Sequence, residues 1–556
     1  MKKTNFSALT TSGPLAELER IRPEVLKNVV ATTKDGFTKP DINLLLEEAL
    51  YFERLRIKRN LKPRLNNIFT YFRNLRDRKL WKKIRLELLK NPNQEKMSVL
   101  LHDVLSHYAE EIGGHFNPKV YRFATYTVPL GFSWLLNAAS VQHYLPWKMT
   151  ESLQSRLKIY GNISQLQRLI QKGTVLLVPT HQSNIDSLVI GYVIYLMSLP
   201  PFAYGAGLNL FSNPFFSYFM GHLGAYTVDR EKTSILYKET LKNYSTQILK
   251  QGVHSIFFPG GGRSRNGAIE SKLKLGLLGT GLQAQIQNLK ENKPNPNIYI
   301  VPMVLSYHFV LEASSLIEDY LIQQGKHRFI GTAGEEPIFF IKVMNFFWKL
   351  FSSNSDVIVR VGKALDVFGN FVDEGGSSIS EQGSPIETKK LLMLNGEIQP
   401  NPLRDREYTQ TLGNKIVERY YKENTVLSSH LIAFALFSTI RKKNPDLDLF
   451  KFLRISFIQR TVSWESFIKE LYLLHEKVLR LSKTGKLCLS PELETQNIEN
   501  WVDNGMALLG YMHDAKVVKR NQDHISTEDM NLLFYYQNRL SGYGLSELPE
   551  IPSDPS

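Results

Sequence analysis

The chain has 556 residues, 43% hydrophobic, 22% charged and 11% aromatic, with a formal net charge of +15. These are globular fractions, so collagen-like, coiled-coil and wholly disordered chains are excluded, and the length suggests two to four structural units at roughly 100–200 residues each. The single cysteine, Cys488, excludes an intramolecular disulfide, which fits a reducing compartment. The charge points to an acidic partner: nucleic acid, an anionic membrane surface or a phosphorylated substrate.

The N-terminus, MKKTNFSALTTSGPLAELER, has two lysines but no apolar stretch behind them, so no secretory signal is expected. No run of about 18 apolar residues occurs, so no ordinary transmembrane helix is expected either. Residues 1–150 read as a helical, basic region, with Asp41–Arg59 one of its helices. Residues 51–90 hold 14 Lys/Arg against Glu53, Asp77 and Glu87, net +11. Leu65, Ile68, Phe72, Leu75, Trp81, Ile84 and Leu88 recur there at helical spacing, with Arg73, Arg76, Arg78, Lys79, Lys82, Lys83 and Arg85 between them. Such a basic amphipathic helix either packs on its domain with a solvated face or meets a membrane surface or nucleic acid. Phe123–Trp147 carries no formal charge, but Pro129, Asn137 and Gln142 make it interfacial at most.

Residues 151–370 read as an α/β region. Strands are predicted at Thr174–Pro179, Phe202–Tyr204, Ser255–Phe258, Ile298–Val304 and Val357–Val361. Helical stretches such as Thr233–Lys250 and Lys272–Leu289 separate them. Alternation of this kind predicts a mostly parallel central sheet flanked by helices. Ser187–Val228 lacks Asp, Glu, Lys and Arg. It reads as a buried helix–strand–helix of that core, part of which faces lipid or lines an acyl groove in the sharper reading. Residues 371–400 are rich in Gly, Ser and Pro and read as a linker or surface loop. Residues 401–545 return to helix; Ser466–Leu481, with Phe467, Leu471, Leu474, Val478 and Leu481 on one face, is the clearest case. The tail, 546–556, is expected to be disordered.

The chemistry lies between residues 174 and 310. The strand TVLLVPT runs into HQSNIDSLVIGYVIY. His181 and Asp186 therefore sit just past a strand's C-terminal end, where α/β sheets place ligands. Imidazole removes a hydroxyl proton near pH 7, and a carboxylate fixes its tautomer. Ser183 or Asn184 is placed to cap the next helix. Alone the H-x4-D spacing is weak, since 13 histidines predict about 0.6 chance matches. His524–Asp529 has the same spacing in a polar stretch and reads as structural or exposed. The first match gains from FFPGGGRSRNG at 257–267. Gly260, Gly261 and Gly262 let backbone N–H groups approach a ligand, and Arg263 and Arg265 suit a phosphate. No P-loop, G-x-S-x-G elbow, H-E-x-x-H or C-x-x-C occurs.

In their order these blocks resemble the glycerol-3-phosphate 1-acyltransferase family and its relatives that acylate dihydroxyacetone phosphate. His181 and Asp186 match the first block. Gly207, Asn209, Gly224 and Arg230 match the second, within GAGLNLFSNPFFSYFMGHLGAYTVDR. Phe258 through Arg265 match the third, and Val301 and Pro302 the fourth, within IVPMVLSYHFVLE. The resemblance covers about residues 170–310 and continues more weakly through VLSSHLIAFALF and LLFYYQNRL. The third block departs from the pattern: the family's glutamate, which helps position the acceptor and order the loop, falls at Gly260.

The resemblance implies direct acyl transfer from an acyl-CoA or acyl carrier protein to the 1-hydroxyl of glycerol 3-phosphate. His181 would be the base and Asp186 its orienting carboxylate. Arg230, Arg263 and Arg265, with Lys272 or Lys274, would hold the phosphate. Backbone N–H groups of Gly260–Gly262 would face the oxyanion. Asn209, Val301 and Pro302 would lie along the acyl path. No cofactor or metal is expected, and Cys488 lies outside the blocks. Peripheral attachment to an anionic membrane at the cytoplasmic face is implied, with no nucleic-acid partner. Dihydroxyacetone phosphate and lysophosphatidate are alternative acceptors. A non-catalytic membrane- or nucleic-acid-binding protein is the alternative of a different class.

Overall fold

A computed structural model describes residues 13–38, 41–59, 68–124, 156–207, 221–324 and 356–546. Its central sheet has seven strands: β1 (Leu157–Gly161), β2 (Thr174–Pro179), β3 (Ala203–Gly207), β4 (Ala225–Val228), β5 (Ser255–Ile256), β6 (Ile298–Tyr307) and β7 (Val357–Val361). Their spatial order is β1-β7-β6-β2-β5-β3-β4. Strands β6, β2, β5, β3 and β4 run parallel, whereas β7 is antiparallel to β6 and parallel to β1. The sheet is therefore mostly parallel, as the alternating pattern predicts.

Every residue of β2 and β6 is buried, as expected where helices cover both faces of a parallel sheet. Alternate side chains divide between two cores. Val175, Leu177, Val301, Met303 and Leu305 face one. Leu176, Val178, Ile298, Ile300 and Val304 face the other. Following the helices in chain order, α1 (Pro14–Arg20), α2 (Arg22–Asp35), α3 (Ile42–Arg59), α4 (Ile68–Leu88) and α5 (Gln94–Ile112) precede the sheet. Next come α6 (Ile163–Leu169), α7 (Asp186–Leu196), α8 (Ile235–Lys250), α9 (Leu275–Lys290) and α10 (Ala313–Gln324). The C-terminal region supplies α11 (Pro402–Glu423), α12 (Ser428–Lys443), α13 (Trp464–Lys483), α14 (Ile498–Leu508) and α15 (Met530–Gln537). Helices α7, α12, α13, α14 and α15 join the first core. Helices α9 and α11 join the second. The N-terminal helices form a third core with Ala203, Tyr226 and one face of α8.

Two strands of the central sheet escape sequence reading, as do short strands in the C-terminal region read as helical, among them Thr461–Ser463, Lys519–Asn521 and His524–Ser526. β1 is only partly buried and β4 is four residues inside a long apolar stretch, so neither has a strand-like pattern of its own. Residues 371–400 are more than a linker. Phe371–Val372 pairs with Ser378–Ile379, Met393–Leu394 pairs with Glu397–Ile398, and Val372 is fully buried. Leu65, Asn209, most of Phe123–Trp147 and the tail from 547 lie outside the described residues.

Helix α4 packs on its own domain. Trp81 and Ile84 are buried, while Arg76, Arg78, Lys79, Lys82, Lys83 and Arg85 are exposed. Its one acidic residue inside the basic run, Asp77, is completely buried. Asp77 Oδ2 pairs with Arg56 of α3 and lies 3.6 Å from Lys232 Nζ, and Oδ1 lies 2.9 Å from His107 Nε2. Arg56 also pairs with Glu53 at 2.8 Å and faces Asp229 at 4.0 Å; Lys232 pairs with Glu111. Asp229 and Lys232 belong to the turn after β4, so this ionic network fastens that turn to three N-terminal helices.

Burial alone would raise the Asp77 carboxyl. The His107 hydrogen bond and the Lys232 and Arg56 charges more than offset it and hold Asp77 well below the usual carboxylate range. A depressed carboxyl contributes stability that is complete above its unfolded value, about 3.9, and is lost as pH falls through the folded value. Asp77→Asn should cost about 3–5 kcal/mol at pH 7, because two buried cations each lose one of their carboxylate partners. The deficit relative to wild type should shrink below about pH 4. Urea unfolding of both proteins at pH 7 and pH 3 measures this; an equal deficit at both would remove Asp77 as the anionic centre.

Candidate active site

Helix α7 begins at Asp186, one turn past the end of β2. Its carboxylate is completely buried and surrounded by donors. Oδ2 accepts from the backbone N–H groups of Gln182 (2.6 Å) and Ser183 (2.9 Å) and lies 2.9 Å from His181 Nδ1. Oδ1 accepts from the Tyr307 hydroxyl at 2.7 Å. An ionised Asp186 makes Nδ1 of His181 the donor and leaves Nε2 as the basic nitrogen, a tautomer assigned from these contacts. The imidazole stacks on Phe258, with ring centroids 4.1 Å apart. Its side chain keeps 13% exposure, so it is fixed yet reachable.

Ser183 and Asn184 do not cap α7 as the sequence suggests. The N-cap is Ile185, with no side-chain cap. Both residues turn instead to Glu312, just after β6: Ser183 Oγ donates to Oε2 at 2.7 Å and the Asn184 N–H to Oε1 at 3.1 Å. Glu312 also lies 3.4 Å from Arg263 Nη1. Sequence reading passed over it, although it ends the quoted IVPMVLSYHFVLE segment.

The glycine loop after β5 is tied directly to the dyad. The Ser264 N–H donates to the His181 carbonyl at 2.7 Å. Gly261 sits at φ +74°, and a Cβ there would meet Lys274 Cγ at 2.8 Å. Its N–H is taken by the Phe258 carbonyl at 3.1 Å, which leaves Gly260 and Gly262 as candidate oxyanion donors. A Cβ on Gly262 would stand 3.7 Å from Arg230 Nη1. Burial, together with the charges of Arg263 and Arg265, pulls the Arg230 guanidinium below its ordinary value. Three guanidiniums thus gather at one edge of the sheet beside the dyad, where an anion would relieve their repulsion. Lys272 is exposed in the same loop. Val301 and Pro302 lie within β6, paired with Leu177 and Val178, inside the sheet rather than on the loop.

The C-terminal region reaches underneath. Arg539 is buried; its Nε donates to Asn424 at 2.8 Å and Nη2 to the Leu305 carbonyl at 2.7 Å. With the Gln182 amide turned so that its oxygen faces the guanidinium, Arg539 also donates to Gln182. Burial lowers the Arg539 guanidinium, while Glu270 and Asp186 act to raise it. A lone arginine in the apolar run LLFYYQNRL was the available signal.

Other imidazoles are built differently. His254 and His308 are buried and pulled down to about 4. His107 also faces a carboxylate, and Asp77, His107 and Glu111 bring ligand atoms within 4.8 Å of one another. Their negative charge is already matched by Arg56 and Lys232, which suits an ionic anchor better than a metal. In the His524–Asp529 pair, Asp529 caps α15 by accepting from Asn531 and Leu532 N–H groups, and His524 is exposed.

Residues 161–306 match the family model Acyltransferase. The matched segment carries strands β2 to β6 of the mostly parallel sheet and the His181–Asp186 pair at its edge. Among curated relatives, a glycerol-3-phosphate acyltransferase of Aeromonas hydrophila subsp. hydrophila is 28% identical over 256 residues, covering 46% of this chain and 28% of that protein. Another glycerol-3-phosphate acyltransferase, of Haemophilus influenzae (strain PittEE), is 31% identical over 182 residues, covering 32% of this chain and 21% of that protein. The chain spans less than a third of the length of these relatives.

Arg539→Met should lower stability by about 3–5 kcal/mol, because Asp186 and Glu270 lose a buried counter-charge. Arg539→Lys should not restore it, since an ammonium cannot reach the same three acceptors with a planar fork. Urea midpoints compare the variants; a neutral Arg539→Met would show that the C-terminal arginine does not support the site.

Proposed function

We propose that this protein transfers a fatty acyl group from an acyl thioester, CoA or acyl carrier protein, to the 1-hydroxyl of sn-glycerol 3-phosphate. The observation that carries this reading is one juxtaposition. A base whose partner nitrogen is held by Asp186 stands beside Arg230, Arg263 and Arg265 at the same sheet edge. The guanidiniums bind the acceptor's phosphate and bring its hydroxyl to His181, which lowers the barrier by positioning. Nε2 of His181 takes the hydroxyl proton as oxygen attacks the thioester carbonyl. Asp186 stabilises the imidazolium, and the proton passes to the departing thiolate. General-base help of this kind is worth about 10²–10⁴ in rate. The Gly260 and Gly262 N–H groups serve the tetrahedral oxyanion.

The reading is tested by transfer of a labelled palmitoyl group from its CoA thioester to sn-glycerol 3-phosphate. Dihydroxyacetone phosphate and lysophosphatidate run in parallel, and acyl carrier protein is the second donor. His181→Ala should abolish transfer in folded protein, and Asp186→Asn should slow it about 10³–10⁴-fold by imposing the wrong tautomer. Arg230→Ala and Arg265→Ala should raise the acceptor KM at least about 10-fold each, the worth of one charge-assisted hydrogen bond. Transfer that survives in His181→Ala would overturn the assignment of the base.

The membrane attachment belongs to the same proposal. No described helix is long and apolar enough to cross a membrane. The exposed side of α4 joins Arg76, Arg78, Lys79, Lys82 and Arg85 to exposed Leu75 and Leu86, with exposed Leu89 just past its end. Each cation near an anionic bilayer contributes about 1 kcal/mol. Lys79→Glu with Lys82→Glu should therefore reduce co-sedimentation with anionic liposomes more than 10-fold and leave binding to neutral ones unchanged. Unaltered binding would place the contact elsewhere.

A further inference from the structure

The dyad's position rests on a residue that no part of the mechanism above uses. Glu270, on the loop between β5 and α9, accepts from the backbone N–H of His181 through Oε1 at 2.6 Å. Burial pushes its carboxyl up from the usual range, opposed by that hydrogen bond and by the charge of Arg539. Gly260 lies directly against it. A Cβ built at Gly260 would stand 3.0 Å from Glu270 Cγ and 3.5 Å from Oε1. The first contact is tighter than ordinary van der Waals packing, so the volume that a side chain at 260 would fill is already taken by Glu270.

We propose that Glu270 is a positioning residue for the acyl-transfer site, supplying by its place in space the carboxylate that Gly260 does not carry, so that positions 260 and 270 share one site with room for one carboxylate. This rests on the reading of His181 as the base. Three contacts then set the imidazole: Asp186 holds Nδ1, Phe258 holds the ring face, and Glu270 holds the backbone from which the side chain departs. Without the third, the ring is free to shift with its loop, and a displacement of about 1 Å costs about 10²-fold in rate.

A two-position cycle tests this. Glu270→Ala should lower kcat about 10²-fold while the acceptor KM changes less than about 3-fold, since the phosphate-binding arginines are untouched. Glu270→Gln should stay within about 5-fold of wild type, because its amide oxygen still accepts from the His181 N–H. Gly260→Glu alone should impair turnover by crowding two acidic side chains into one volume. The pair Gly260→Glu with Glu270→Ala should exceed both single variants by at least about 10-fold, a non-additivity expected only of groups sharing a site. Near-normal kcat in Glu270→Ala overturns the proposal. So does a double variant no better than its poorer parent, including the case in which Glu270→Ala fails to fold and the double variant does not recover it. If the wild-type chain transfers no acyl group, the catalytic reading fails, and the His181 ring resonance in histidine-labelled protein becomes the readout. Glu270→Ala should then shift that resonance and the double variant return it; an unmoved resonance overturns the pairing.

Discussion

A fully buried carboxylate is stable only where donors surround it, and the site is organised around meeting that demand for Asp186. Its four partners come from the turn after β2, from the His181 ring and from the end of β6. Satisfying the charge fixes the shape of that turn and brings β6 into the site at the same time. The two carboxylates next to it extend the stitching. Glu312 holds Ser183, Asn184 and Arg263, and Glu270 holds the His181 backbone. Loops from three strands are thereby joined by charged hydrogen bonds, each worth about 1.5–3 kcal/mol. His181 and Arg263 sit in register because Asp186, Glu270 and Glu312 tie their loops together.

Gathering three guanidiniums has a cost that must be met elsewhere. Like charges in one cleft push apart, and neither Arg263 nor Arg230 is left to find its own place. Arg263 is held by Glu312. Arg230 projects from a turn whose neighbours on both sides, Asp229 and Lys232, are buried in the network with Arg56, Asp77 and Glu111. The N-terminal helices therefore hold this edge of the sheet from a distance. Helix α4 shows this in one element, with Asp77 on its buried face anchoring the turn that carries Arg230 and a row of cations on the other face. A contact with an anionic surface on that outer face would load the helix that anchors the turn carrying Arg230.

What the sequence revealed and what it hid divides by range. Strands β2 and β7 were legible to the residue, because a short run of β-branched and apolar residues bounded by turns is a local signal. His181, Asp186, Arg263 and Arg265 were legible because they cluster within short motifs. The supporting shell was not. Arg56 meets Asp77 from 21 positions away, Tyr307 meets Asp186 from 121, and Arg539 meets the Leu305 carbonyl from 234. A charged residue read singly looks like solvated surface, and only the fold shows that Asp77, Glu270 and Arg539 are paired. Ser183 and Asn184 fit a capping pattern, in which a side-chain oxygen accepts from the first N–H groups of the helix, yet the Ser183 hydroxyl and the Asn184 N–H both donate to Glu312, and tertiary pairing overrode the local rule.

The three consecutive glycines illustrate the same point at closer quarters. Such a run is ordinarily taken to let backbone approach a ligand. Here the space beside each is claimed by a charged side chain from elsewhere: Glu270 at Gly260, Lys274 at Gly261 and Arg230 near Gly262. At Gly261 the positive φ gives a second reason. The loop is small because its neighbours are large and charged, not only because a ligand comes near. A motif compared position by position therefore misjudges this loop, since a missing side chain at 260 counts as a loss even when the same volume holds a carboxylate. The place beside Gly260 is filled by Glu270, ten positions further along the same loop, and a comparison by position alone passes it over.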